Sequence, residues 1–201
     1  MKDEKRYHHG DLREALLTAA QVELEETGLE GFSLRKVAKR AGVSHAAPAH
    51  HFGDTTGLLT ALAVRGYELF VQSMQAAEQG EDDKIIGAAL GYIAFAQAHP
   101  ALFRLIFSSA RPDYTNPELD SAAPQSFLHL TDLLEARTGL CAFENQDAMT
   151  DALGVWSLAH GLADLLTGGR MKPLQAMPPE ARKQVIIGLL HRFLPNLTRQ
   201  D

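Results

Sequence analysis

The chain has 201 residues and a mass of 21.9 kDa, with 45% hydrophobic and 22% charged residues and a formal net charge of −6. That size suits one large domain or a small domain joined to a medium one, and the composition excludes disorder and collagen-like structure. A lone cysteine, Cys141, excludes an intramolecular disulfide and a cysteine-built zinc site. The longest nearly unbroken apolar stretch, residues 85–96, is shorter than the roughly 20 residues of a membrane helix. The opening residues have no apolar signal-peptide core, so a soluble cytoplasmic protein is expected.

Apolar residues recur at spacings of three and four, and no segment alternates in the manner of a strand, so the chain reads as all-helical. Breaks at Gly28, Gly31, Gly42, Gly53, Gly80, Pro100, Gly139, Gly168 and Pro178, with the stretch 111–117, imply about nine helices. The first is expected from Asp11 to Thr27, with Leu12, Leu16, Ala19, Ala20 and Leu24 on its buried stripe and Gly28 as its stop. Ser33 is a good N-cap for a short second helix that buries Leu34, Val37, Ala38 and Ala41. Gly42 and Val43 turn the chain, and a third short helix is expected to start at Ser44 or one residue later and to end near Phe52. Pro48 lacks a backbone donor and is tolerable only in that helix's first turn. A fourth helix restarts at Asp54 or Thr55 and buries Leu58, Leu59, Leu62, Gly66, Phe70 and Met74.

Two short helices around a tight glycine turn meet the requirement of a helix-turn-helix, with Ala38 and Gly42 where the helices cross and Leu34, Val37, Val43 and Phe52 holding the pair to the first helix. Arg35, Lys36, Lys39 and Arg40 then face outward from the second helix, and His45, Ala46, Ala49 and His50 from the third. Charge distribution agrees with this placement. Residues 1–52 hold eight basic and eight acidic residues, so the net −6 belongs to the remainder, while residues 35–40 gather four cations. A helix of this length fits the DNA major groove, although a helical hairpin with a solvated basic face satisfies the same pattern.

The stretch from Leu12 to Leu59 resembles the DNA-binding domain of the TetR family of transcriptional repressors. It does so through Leu16-Leu17-Thr18-Ala19-Ala20, Gly28, Phe32-Ser33-Leu34-Arg35-Lys36-Val37-Ala38, Ala41-Gly42-Val43-Ser44, His51-Phe52 and Leu58-Leu59. A looser likeness, to a branch of that family with a Trp-x-x-x-His-Gly motif, rests on residues 156–161 and on 99–105. The resemblance implies a DNA-binding helix-turn-helix domain over residues 8–54 and a helical effector-binding and dimerisation domain over 55–201. Together with the outward faces of the two helices it points to DNA contact by Ser33, Arg35, Lys36, Ser44, His45, Ala46, Ala49, His50, His51 and Thr55, and side-chain chemistry makes His45, Ala46 and Ala49 the candidates for base contact. Many family members carry a phosphate-touching tyrosine at the place of Ala49 and a lysine at that of Thr55. Here His50, His51 and Thr55 remain as hydrogen-bond donors to phosphate, and Lys2, Lys5 and Arg6 offer a basic N-terminal arm.

In the larger domain, residues 82–98 are apolar almost all round and suit a central helix. Residues 145–167 carry one stripe of Met149, Ala152, Trp156, Ala159 and Ala163 and another of Val155, Leu158, Leu162 and Leu165, with Gly154 and Gly161 seven apart. The last helix, expected over 180–194, presents Val185, Ile186, Gly188, Leu189, Leu190, Phe193 and Leu194. Stripes this wide point to a homodimer through Leu158, Leu162, Leu165, Val185, Leu189 and Phe193, or else to burial within one protomer. The resemblance implies an effector pocket, for which Tyr92, Phe95, His99, Phe103, Phe107, Phe127, Trp156 and His160 supply aromatic walls and few polar groups. His99, His129 and His160 read as hydrogen-bonded structural histidines, and no metal or cofactor is expected.

The expected function is therefore a repressor released from a palindromic DNA operator by a small, largely apolar effector. A protein-binding helical adaptor stays open, as does a helical-bundle enzyme. The latter is disfavoured because no histidine follows a glutamate at the Glu-x-x-His spacing of di-iron bundles, and phosphate-loop and nucleophile-elbow motifs are absent.

Overall fold

The computed structural model describes residues 9–193, and among these there are helices and no strands. In chain order the helices are α1 (His9–Gly31), α2 (Leu34–Ala41), α3 (Ala47–Phe52), α4 (Thr55–Glu78), α5 (Lys84–Ala98), α6 (Pro100–Ser108), α7 (Pro117–Ala122), α8 (Gln125–Thr138), α9 (Gln146–Thr167), α10 (Lys172–Gln175) and α11 (Pro179–Phe193). The short α7 and α10 form next to stretches that composition marks as breaks. The basic residues Lys2, Lys5 and Arg6, with Leu194, lie outside the described residues. The chain divides into two compact units, one of residues up to 66 with 101–122, the other of 67–100 with the residues from 123 onward.

In the first unit local chemistry sets the helix ends. Gly28 has φ 67 and ψ 179, a backbone state that only glycine adopts readily, and it interrupts α1 where a stop is expected before one more turn reaches Gly31. Ser33 caps α2 by accepting from the Lys36 amide, and Gly42 closes it in the left-handed region, its amide donating to Ala38 and Lys39. An added Cβ at Gly42 would meet nothing, so this glycine serves the turn and not a close crossing; the fully buried contact is Ala38.

The third helix starts at Ala47, two to three residues after the expected start at Ser44 or His45. The reason is Pro48. With no amide of its own, and with a ring that clashes with the carbonyl four residues back, it must sit in the first turn, so a start at Ser44 is too early. Ala46 occupies the cap without a side-chain hydrogen bond, while the Ala47 amide donates to the Ser44 carbonyl in the preceding turn.

Two distant segments complete this unit. Gly66 of α4 passes α6 so closely that a Cβ would lie 2.8 Å from Ile106 and 3.2 Å from Leu102. The Glu25 carboxylate of α1 accepts from the Ala101 and Leu102 amides at 2.9 and 3.0 Å, which places negative charge at the α6 N-terminus. Thr60 accepts from the Asp113 amide at 2.9 Å.

The second unit is built around α5, which packs against α8 and α9. Asp83 caps α5 through the amides of Ile85 and Ile86. Burial alone would raise its carboxyl, but hydrogen bonds from Arg137 and these amides hold it below the ordinary value. Gly87 and Gly91 let the C-terminal half of α4 lie backbone to backbone on α5: a Cβ at Gly91 would be 2.4 Å from the Ser73 carbonyl oxygen. Asn145 caps α9 through the Ala148 amide.

Candidate DNA-reading surface and effector site

The outward face of α2 carries the four expected cations, all exposed, yet they are not equivalent. Arg40 pairs with both Glu26 and Glu23 of α1, and hydrogen bonds to these two carboxylates, Glu26 first, raise its pKa further. Lys36 donates to the Gly31 carbonyl at 2.9 Å and sits 3.6 Å from Glu23. These two cations fasten α2 to α1. Arg35 and Lys39 form no ion pair among the described residues and are left for an outside anion. Composition gives four alike cations; the carboxylates of Glu23 and Glu26, three apart on α1, are the signal that separates them.

Ser44, His45, Ala46, Ala49 and His50 are exposed along the turn and α3, whereas His51 and Thr55 are half-buried. Pro48 is the buried residue of α3, which packs on α2, so one side of the short helix is held and the other is offered. The His50 and His51 rings meet edge to face at 5.4 Å, and Arg13 lies 5.3 Å over the Phe52 ring. The Ser33 oxygen is already engaged as the α2 cap, accepting from the Lys36 amide.

In the second unit an aromatic cluster surrounds Tyr92, which is 2% exposed. Its hydroxyl is 2.7 Å from His160 Nδ1. Burial, and then the nearby Tyr67, push the Tyr92 phenol far above its ordinary value, so it stays protonated at any physiological pH. Phe70 and Trp156 meet the Tyr92 ring edge to face at 4.5 and 5.2 Å, and Phe127 meets Trp156 at 5.5 Å. Phe95 lies 5.2 Å from Phe70 and 5.4 Å from His99. Six of the eight expected pocket residues thus join one ring cluster. Phe103 and Phe107 belong to the other compact unit, where they pack on each other at 5.0 Å. Phe70 and Met74, expected only as buried α4 residues, are part of this site.

The void at its centre, lined by Met74, Tyr92, Val155 and Trp156 among others, is about 10 Å³, room for one water at most. His129 bonds Glu78 through Nε2, so His129 and His160 are both hydrogen-bonded, and the described residues contain no group of three or more metal-ligating side chains.

On α9 and α11 lies an open apolar face. Leu153 is 50% and Val185 47% exposed, and a Cβ at Gly154, Gly161 or Gly188 would meet nothing. Leu158, Leu165 and Leu189 are half-buried. Leu162, expected at an interface, is only 7% exposed because it turns into the protomer's own core, and Leu153 stands on the open side instead. The side chain of Phe193 lies outside the described residues. Among the described residues no single helix is long and apolar enough to cross a membrane.

Comparison with known proteins fits this geometry. Residues 16–62 match the family of bacterial regulatory proteins of the TetR type, and residues 85–189 match the tetracyclin repressor-like C-terminal domain. The HTH-type transcriptional regulator BetI of Paraburkholderia xenovorans strain LB400 is 43% identical over 49 residues, which is 24% of this chain and 25% of that protein. BetI of Yersinia pestis strain Pestoides F is 32% identical over 126 residues, 52% of this chain and 64% of the relative. The chain thus spans less than two thirds of either curated relative. A solved protein of unknown function from Rhodococcus sp. RHA1 is 31% identical with a TM-score of 0.77, covering 98% of this chain and 100% of that one.

Proposed function

The chain belongs to the TetR family of bacterial regulatory proteins, and on that premise we propose that it is a DNA-binding transcriptional regulator, a homodimeric repressor released from a palindromic operator by a small, largely apolar effector. The observation that carries this reading is the short α3, packed on α2 with Pro48 buried on one side and with Ser44, His45, Ala46, Ala49 and His50 exposed along the turn and its other side. Residues 8–54 do the reading and residues 55–201 bind the effector and the second copy.

In the complex α3 enters the major groove. The methyls of Ala46 and Ala49 pack on thymine methyls, and His45 meets a base edge. Arg35 and Lys39 neutralise phosphates, with Ser33, Lys36, His50, His51 and Thr55 as further donors. The open face of α9 and α11, with Leu153, Val185 and three glycines clear of neighbours, supports pairing with its counterpart in a second copy. A dimer sets two α3 helices on half-sites one DNA turn apart.

The ring cluster leaves only a small void, with Trp156 and His160 half-exposed at its edge, so room for an effector comes from displacing rings such as Trp156 or Tyr92. A ligand preferring that displaced arrangement shifts the population towards it, by its differential affinity for the two.

A gel-shift titration on a palindrome selected from random DNA, repeated over a salt series, tests the proposal. Arg35 and Lys39 from both protomers neutralise about four phosphates, for a log–log salt slope of about −3.6 before other contacts. Arg35→Gln is expected to flatten that slope by about 2 units and to weaken binding to all sequences alike. A protein that selects no DNA, or binding without salt dependence, sinks the reading in favour of an adaptor.

A further inference from the structure

The first unit holds a second concavity, which shares His51 with the proposed DNA-reading surface and is otherwise separate from it. A cleft of about 410 Å³ opens between α1, the end of α3, the first half of α4 and the start of α7, within the size range of small-molecule sites. Its apolar lining is Phe52, Ala61 and Val64. Two charged side chains of opposite sign also line it, Arg13 from α1 and Glu118 from α7. Both are exposed, and neither forms an ion pair among the described residues, with the other or with a third group. Arg13 is steadied over the Phe52 ring at 5.3 Å. Asn116 spends its side-chain oxygen on the Glu118 and Leu119 amides, at 3.0 and 3.3 Å, and keeps its amide nitrogen as a donor to the cleft.

We propose that this cleft binds a small zwitterion with an apolar body, an apolar α-amino acid, with its carboxylate on Arg13, its ammonium on Glu118 and its side chain against Phe52, Ala61 and Val64. A simple anion would meet the Glu118 carboxylate and a simple cation the Arg13 guanidinium, so a molecule carrying both signs is the one that both walls favour. The same Glu118 charge disfavours a DNA phosphate. Arg13 and Glu118 are hydrated when unoccupied, so binding strips water from them, and charge-assisted hydrogen bonds with burial of the apolar body outweigh that cost. The occupant touches His51 and Phe52, the C-terminal end of α3, and so bears on the element that carries Ala49 and His50.

Isothermal titration of the full chain with L-phenylalanine tests this, alongside L-phenylalaninamide, which lacks the carboxylate, and 3-phenylpropionate, which lacks the ammonium. Saturable binding of L-phenylalanine is expected, with each analogue at least about tenfold weaker. Arg13→Gln should erase the preference over the amide, and Glu118→Gln the preference over 3-phenylpropionate. Val64→Trp should fill the cleft and abolish binding of all three. Both charged positions are exposed, so unchanged melting temperatures for their variants confirm intact folding. The proposal is overturned if neither L-phenylalanine nor L-leucine saturates the protein below about 1 mM. It is equally overturned if the analogues bind as well as the amino acid, or if Val64→Trp leaves binding intact. None of these readouts involves DNA, so they stand or fall apart from the regulator reading.

Discussion

Around α1–α3 the long-range ties are polar: Arg40 and Lys36 to Glu23 and Glu26, Arg65 to Glu14, and Glu25 to the first amides of α6. Around α5 and α9 a few polar ties, Tyr92 to His160 and Arg137 to Asp83, join a larger set of rings and bare backbone: Phe70, Tyr92 and Trp156 in edge-to-face contact, with Gly87 and Gly91 letting α4 reach the α5 main chain. The difference follows from chain length per element. The eight-residue α2 and six-residue α3 have little apolar area to bury, so directional polar bonds fix their angle, whereas α5 is apolar all round and is fixed by packing. Under the proposed function, a surface that presents its residues to a phosphate backbone would keep its charge, while a site that admits an apolar molecule would be built of side chains that exchange one ring for another.

The sharpest way to break this contrast is Phe70→Ala, which deletes the ring at the centre of the cluster. A loss of about 3–5 kcal/mol is expected in urea unfolding. A loss under ~1 kcal/mol would show that the rings are loosely packed already. Gly91→Ala comes next, at about 1–3 kcal/mol or more, because the neighbour is rigid backbone at 2.4 Å. Its control is Gly154→Ala, where the Cβ meets nothing and helix propensity should stabilise the protomer by up to ~1 kcal/mol; thermal melts with the oligomeric state monitored decide both.

In the polar unit, Ser33→Ala removes the α2 cap at a cost of about 1 kcal/mol, and hydrogen exchange at the α2 amides should accelerate before those of α5 do. The smallest effect concerns acid. The Asp83 carboxyl is held below its ordinary value when folded, so its contribution is present above about pH 4 and fades as pH falls through the lower folded value. Being partly exposed, it is worth under ~1 kcal/mol. Arg137→Gln should therefore shrink the difference in stability between pH 7 and pH 3; an unchanged difference would remove Arg137 as the cause.

Several features were readable from residue order. Ser33, Asn145, Gly28 and Gly42 all act over three or four residues and stand at the ends where local chemistry puts them. The buried stripe of α4 from Leu58 to Met74 is as expected, since helical periodicity requires no knowledge of the partner. The start of α3 was misplaced although its cause, Pro48, is itself local. A capable cap at Ser44 does not outweigh a proline four residues later.

The rest depended on groups far apart in the chain. Which of four adjacent cations is spoken for was decided by carboxylates 14 and 17 residues away, and the cap on α6 came from Glu25, 76 positions earlier. Leu158 and Leu162 share a stripe on α9, yet one stands half-open and the other turns into the core; Phe103 and Tyr92, both read as pocket walls, sit in different compact units. Residue order by itself determined helices, their ends and the cationic short pair, because capping and periodicity are short-range. Tertiary structure alone decided which charges are free, where glycine admits a neighbouring backbone and how tightly the rings close, because each needs a partner that the local chain does not name.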